Sequence, residues 1–253
     1  MAVTAEDVLS KVPAVTAVFW AVKILATTLG ETAGDTLSMT WDLGYLASSA
    51  IFIVPLALLV AAQIRASRYH PALYWATIIA STTAGTTIAD YATRSLGIGY
   101  PGGTVLLLTL VLACLVVWYR TLGTVSVDRI ASPRAEAFYW TTITFSQTLG
   151  TALGDWAADD GGLGYLGGAM LFGAALLGLL ALYRFTAISR VWLFWAAFIL
   201  TRPLGATVGD FLDKPLAKGG LDFSRPVASL VLLVAIVALV ALMPQKAGRH
   251  PAP

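Results

Sequence analysis

Four aspartates, Asp35, Asp90, Asp155 and Asp210, recur in this sequence inside otherwise apolar stretches. A carboxylate in such surroundings offers hard oxygen ligands to a cation and can also take up and release a proton. Steps of four residues back from each aspartate stay near one helix face, drifting by about 40° per step. They pass through Glu31, Thr27 and Lys23 in the first stretch and through Thr86 and Thr82 in the second. In the third they reach Thr151 and Gln147, and in the fourth Ala206 and Arg202. The result is a polar seam of five carboxylates and two cations, with a formal charge of about −3 when every group is ionised. Such an excess predicts a bound cation or partial protonation.

Carboxylates, threonine hydroxyls and helix carbonyls suit hard divalent cations such as Mg²⁺, Ca²⁺ or Mn²⁺. Asp35 and Glu31, one turn apart, are the expected metal ligands, assisted by Asp90, Asp155 and Asp210, with Thr27 and Gln147 lining the same face. Lys23 and Arg202 occur in one copy each, and they are expected to act as internal counter-charges. A variant of this reading has the two cations bind an anionic substrate, since Arg favours planar carboxylate or phosphate partners. Soft ligands do not accompany the seam: His70 and His250 lie outside the aspartate stretches and the single cysteine, Cys114, is remote. That composition argues against copper, haem and iron–sulfur chemistry and weakens a zinc reading, so no resident cofactor is expected. With no Ser/His, Cys/His or His-rich constellation, an enzyme is not expected either.

The elements that must hold this seam are membrane helices. Of 253 residues 58% are apolar and only 12% charged, which a soluble domain of this length rarely shows. Eight stretches approach the roughly 20 apolar residues a span requires, near 13–39, 43–64, 71–95, 101–121, 134–157, 163–184, 188–212 and 226–244. Lys11, Arg65, Arg68, Arg120, Arg129, Arg134, Arg184, Arg190, Lys246 and Arg249 fall on one side. Only Arg94, Lys214, Lys218 and Arg225 fall on the other, among Asp42, Asp159, Asp160, Asp213 and Asp222. By the positive-inside rule both termini are cytoplasmic, in a cell inner membrane. The opening residues carry Glu6 and Asp7 with no basic cluster or cleavage site, so no removable signal peptide is expected. The spread of basic residues over loops gives no nucleic-acid surface; the expected partners are a small cation, protons and membrane lipid.

A repeat organises these stretches: a tryptophan, a glycine ten residues on, the aspartate after five more and a second glycine nine beyond. It runs Trp20/Gly30/Asp35/Gly44, Trp75/Gly85/Asp90/Gly99, Trp140/Gly150/Asp155/Gly164 and Trp195/Gly205/Asp210/Gly219. The aspartates are 55, 65 and 55 residues apart, so the two halves are offset by 120. Each repeat, approximately 13–64, 71–121, 134–184 and 188–244, holds two helices, so the motif helices are expected to be parallel. The predicted fold is an all-α integral membrane protein of eight spans, odd helices in an inner ring and even helices facing lipid. The glycines are expected to be close-packing points between odd helices. The tryptophans, with Tyr45, Tyr100 and Tyr165, are read as interface anchors or packing residues. Pro203 should free a carbonyl near Ile199, as broken helices at transport sites do. A purely structural role for the aspartates, accepting backbone N–H bonds at the next helix start, competes with the functional one.

The Thr-Leu-Gly-x-x-x-Gly-Asp core at Thr28–Asp35 and Thr148–Asp155 resembles a family of uncharacterised bacterial membrane proteins built from tandem copies of a repeated domain of unknown function. That resemblance implies four repeats over nearly the whole chain and little about activity. The chemistry of Glu31-Thr32-Ala33-Gly34-Asp35-Thr36 is similar to the Glu-x-Gly-Asp-(Lys/Arg)-(Thr/Ser) signature of Gdt1-type cation exchangers, with one extra residue and no basic residue. The expected function is a secondary transporter for a small cation, a divalent metal exchanged for protons. The alternative is a non-transporting scaffold or sensor subunit whose polar seam is satisfied internally.

Overall fold

A computed structural model describes residues 8–250; Glu6 and Asp7 lie outside them. Eight helices run α1 Ala17–Asp35, α2 Gly44–Arg65, α3 Pro71–Asp90, α4 Gly99–Leu122, α5 Pro133–Asp155, α6 Gly164–Phe185, α7 Arg190–Asp213 and α8 Arg225–Leu242. Their starts follow local chemistry. Thr16 and Ser132 accept hydrogen bonds from the N–H groups of Phe19 and Ala135, and prolines open α3 and α5 where an N–H is dispensable. Helix α7 is continuous through Pro203.

Among the described residues five helices, α2, α4, α6, α7 and α8, are long and apolar enough to cross a membrane, where the sequence predicts eight. Helices α1, α3 and α5 fall short because they carry the seam's charges with Thr, Ser and Gly. Those residues are buried, apart from the half-buried Thr144 and the exposed Thr141. Leucines and valines such as Leu58, Val105, Leu177 and Leu230 cover the outside of the even helices. Helix α1 packs against α3 and α7, and α5 against the same two; α2, α4, α6 and α8 lie against α3, α5, α7 and α1 respectively.

The two glycines of the repeat do different work. A Cβ at Gly30 would run into Thr82, at Gly85 into the backbone of Gln147 and Thr148, at Gly150 into Arg202, and at Gly205 into Thr27. These are close approaches between odd helices, as expected. The later glycines are not packing points: Gly44, Gly99, Gly164 and Gly219 have φ of 72°, 69°, 64° and 81°. In the first three repeats the aspartate is followed by a five-residue π-helical turn, and the left-handed glycine then starts the next helix. Gly85→Ala should therefore lower stability by about 1–3 kcal/mol through overpacking, since its Cβ would lie 2.9 Å from the Gln147 carbonyl carbon. Gly44→Leu, with nothing within 4 Å, should cost only the left-handed backbone penalty of about 1–2 kcal/mol. Thermal unfolding in detergent checks the pair; if Gly44→Leu alone is disruptive, the assignment of roles is wrong.

One departure from the all-α expectation is a short antiparallel pair, β1 Val8–Pro13 with β2 Ala247–His250, Val8 opposite His250. It displaces the start of the first helix to Ala17. The pair is tied to the loop before α5: Ser10 Oγ donates to the Val127 carbonyl at 2.7 Å and the Lys11 N–H to that of Ile130 at 2.7 Å. The Lys11 ammonium lies 2.5 Å from Glu136 at the start of α5.

Candidate functional site

Many threonine hydroxyls of the odd helices bond back along their own helix, as Thr28 does to Ile24 O at 3.0 Å and Thr86, on the seam, to Thr82 O at 3.2 Å. Thr27 does so too, at 2.8 Å to Ile24 O, and also donates across to Thr201 O on α7 at 3.2 Å. Such bonds let polar residues fill the buried interior, while Thr27, Thr86 and the longer side chains also interact between helices.

Four residues before the aspartates stand Glu31, Thr86, Thr151 and Ala206, all buried. Arg202, fully buried, reaches this level with one nitrogen: its Nη2 lies 3.0 Å from Glu31 Oε2 and donates to Thr86 and Thr151 Oγ1, each at 2.6 Å. One guanidinium thus ties α7 to α1, α3 and α5. Four residues further back are Thr27, Thr82, Gln147 and Arg202 itself. Then come Lys23, Ile78, Ile143 and Phe198, and finally Phe19, Tyr74, Tyr139 and Phe194, every one buried. At this last level the Tyr74 and Tyr139 hydroxyls are 2.6 Å apart and the Phe19 and Phe194 rings are 6.2 Å apart. The adjoining tryptophans pack inward: Trp195 Nε1 donates to Val125 O at 2.9 Å and Trp75 Nε1 to Gln245 Oε1 at 3.2 Å.

Arg202 does serve as the counter-charge of Glu31. Lys23 does not serve any carboxylate. Among the described residues no carboxylate oxygen lies within 4.0 Å of its ammonium, whose neighbours are Gln147 Oε1 at 3.5 Å and the Phe198 ring at 4.2 Å.

The four aspartates are instead held by cations that the sequence reading assigned to the far side of the membrane. Lys214 Nζ lies 2.7 Å from Asp35 Oδ2 and 2.8 Å from Asp210 Oδ1. Arg94 lies 2.9 Å from Asp90 and 3.0 Å from Asp155. Arg225 approaches Asp35 at 3.7 Å and Asp213 at 3.2 Å. Six carboxylates therefore face five cations, and the seam is close to neutral rather than strongly acidic. A signal for two of these was present: Arg94 and Lys214 each follow their own aspartate by four residues, as helical ion pairs do. Each bridges that aspartate to the one in the next repeat, counting the first after the fourth.

The two bridges are not equivalent. Around Lys214, Glu31, Asp35 and Asp210 each bring one oxygen within 4.8 Å of the others, a spacing that a metal ion can hold together. Asp35 Oδ1 is buried there without a hydrogen-bond partner. Around Arg94 no third carboxylate corresponds to Glu31, because Thr151 stands at that position. The structure thus brings the expected metal ligands Asp35 and Glu31 together with Asp210, and it separates Asp90 and Asp155 from them.

No curated protein and no solved structure matches the chain. A family model described as a Repeat of Unknown Function (DUF347) matches it four times in tandem, at residues 18–69, 73–124, 138–189 and 193–243. Each match takes in the repeat's tryptophan, both its glycines and the aspartate that sits in the cation bridges, so this chain belongs to the DUF347 repeat family.

Proposed function

We propose that the chain is a multi-pass protein of a cell inner membrane with both termini cytoplasmic, and that it moves a small cation, a divalent metal, in exchange for protons. In this reading the odd helices form an inner ring of four parallel members, and the path follows the seam on its axis. The closed cycle of contacts among α1, α3, α5 and α7 supports the ring. Parallel neighbours are supported by matched steps: Gly30 meets Thr82 and Gly34 meets Thr86, while Gly150 meets Arg202 and Gly154 meets Ala206. The pairing of residues 8–13 with 247–250 supports termini on one side and an even number of crossings.

The observation that carries the reading is the triad of Glu31, Asp35 and Asp210 around a lysine. A cation entering it must displace the Lys214 ammonium, which can swing away on its flexible stem, whereas the Arg94 guanidinium of the other half is held in a fork between two carboxylates. Metal and protons then compete for the same oxygens, which couples their fluxes. The test is flux into proteoliposomes across Mg²⁺, Ca²⁺, Mn²⁺, Na⁺ and K⁺ with an internal pH dye. Saturable flux of a divalent ion with opposite proton movement is expected; a correctly folded protein that passes none of them ends the proposal. Lys214→Met should tighten apparent cation affinity about tenfold, one step of roughly 1.4 kcal/mol, by removing the tethered competitor. Unchanged affinity would put the cation elsewhere.

One observation favours the second reading, a non-transporting scaffold or sensor subunit: each of the four aspartates has a cation within 3.0 Å. Aqueous thiol reagents distinguish the two. They should label a Thr86→Cys, Cys114→Ser variant if the axis opens to water during a transport cycle, and a sealed scaffold leaves it unlabelled.

A further inference from the structure

Lys23 is completely buried on α1, yet among the described residues its ammonium has only one amide oxygen at 3.5 Å and an aromatic ring for company. A charge taken out of water without a counter-charge costs several kcal/mol. The groups next to it add to the imbalance. Arg202 Nε and Nη1 and Gln147 Nε2 are buried and have no partner among the described residues, and all three can only donate. Helix α5 brings these donors together: Gln147 touches Lys23, and Gly150, three residues on, is the point where Arg202 crosses. The Nη2 of Arg202 is already committed to Glu31, Thr86 and Thr151, so the free nitrogens are what remains for a ligand.

We infer that the buried donors of Lys23, Gln147 and Arg202 together bind one small monovalent anion. Only an acceptor satisfies four donors at once, and Lys23 and Arg202 with Glu31 carry one net positive charge, which a single negative charge cancels. A dianion would overshoot. The apolar Ile78, Ile143 and Phe198 at the level of Lys23 restrict the ligand to a compact species, a halide, nitrate or a short carboxylate. The site uses different residues from the cation triad, lying one to two turns below it on the same axis. Its occupancy does not depend on whether the cation moves.

The test uses the full chain purified in a gluconate buffer and titrated calorimetrically with chloride, bromide, nitrate, acetate and sulfate. Saturable binding of one monovalent ion per chain is expected, with a rise in melting temperature and no response to sulfate. Lys23→Met should weaken binding at least tenfold while melting in gluconate no lower than the natural sequence, because it removes an uncompensated buried charge. Absence of binding by the natural sequence, or binding unchanged in Lys23→Met, overturns the assignment. Should that variant fail to fold, the anomalous signal of bromide in crystals of the natural sequence decides: a peak beside Lys23 and Arg202 supports the site, and a peak elsewhere refutes it. Cation flux enters none of these readouts, so a failed transport assay leaves them intact.

Discussion

Replacing Arg202 with methionine should lower the unfolding free energy by about 3–5 kcal/mol, the range for breaking a buried ion pair from one side. Glu31 would be left as a buried carboxylate without its cation at 3.0 Å, and the hydroxyls of Thr86 and Thr151 would lose a donor. Methionine keeps the Cβ and Cγ that pack on Gly150, so the loss reads the charge rather than a cavity. Adding Glu31→Gln should recover most of it, and the double-mutant cycle gives the coupling between the two directly. Arg202→Lys should not recover it, because a lysine cannot reproduce the fork that joins three helices. Denaturation in detergent, followed for all four chains, checks this. A loss under about 1 kcal/mol for the single variant would mean that Glu31 is held uncharged or by something else.

The second large effect concerns transport. Asp35→Asn should reduce cation flux at least a hundredfold, about 2.7 kcal/mol or more, and Asp210→Asn should behave alike, since both remove a carboxylate from the triad. Asp90→Asn and Asp155→Asn should leave flux within a few-fold and instead lower the melting temperature, because Arg94 then loses one of its two anions. The four variants, assayed side by side for flux and melting, separate the halves of the molecule. Equal melting losses with an unchanged cation response throughout would leave all four aspartates as architecture.

Much of this arrangement was legible in the residues. Four-residue steps from each aspartate pick out the buried levels, because a helix returns to nearly the same face and these helices bury that face almost completely. The close approach at Gly30, Gly85, Gly150 and Gly205 follows from what small residues permit. The partner of each side chain across helices was not legible, since it depends on the axial offset between neighbours. Glu31 meets Arg202 rather than Lys23 because the long arginine climbs a full turn toward the aspartates. Arg94 and Lys214 were legible as partners of the aspartates four residues before them, but not as bridges to the next repeat. Loop cations count toward orientation, yet here the chain folds them back over the helix ends, where a buried carboxylate attracts them more strongly than water does. The strand pair of the termini is encoded by contacts between residues more than 230 apart, for which no local pattern exists.

The bridges at Arg94 and Lys214 are 120 residues apart, as are the aspartates they join, whereas Glu31 and Arg202 have Thr151 and Thr82 at their counterpart positions. Two identical half-length chains could close the same bundle as a two-fold dimer, and they would reproduce the bridges without difficulty. They could not reproduce the centre. Every residue of such a dimer occurs twice, so it would carry two copies of Glu31 and two of Arg202. One guanidinium with one glutamate requires two unlike halves, and this chain supplies them as four repeats in one polypeptide. Covalent fusion therefore delivers the two unlike halves together, in equal number, to a single polar centre.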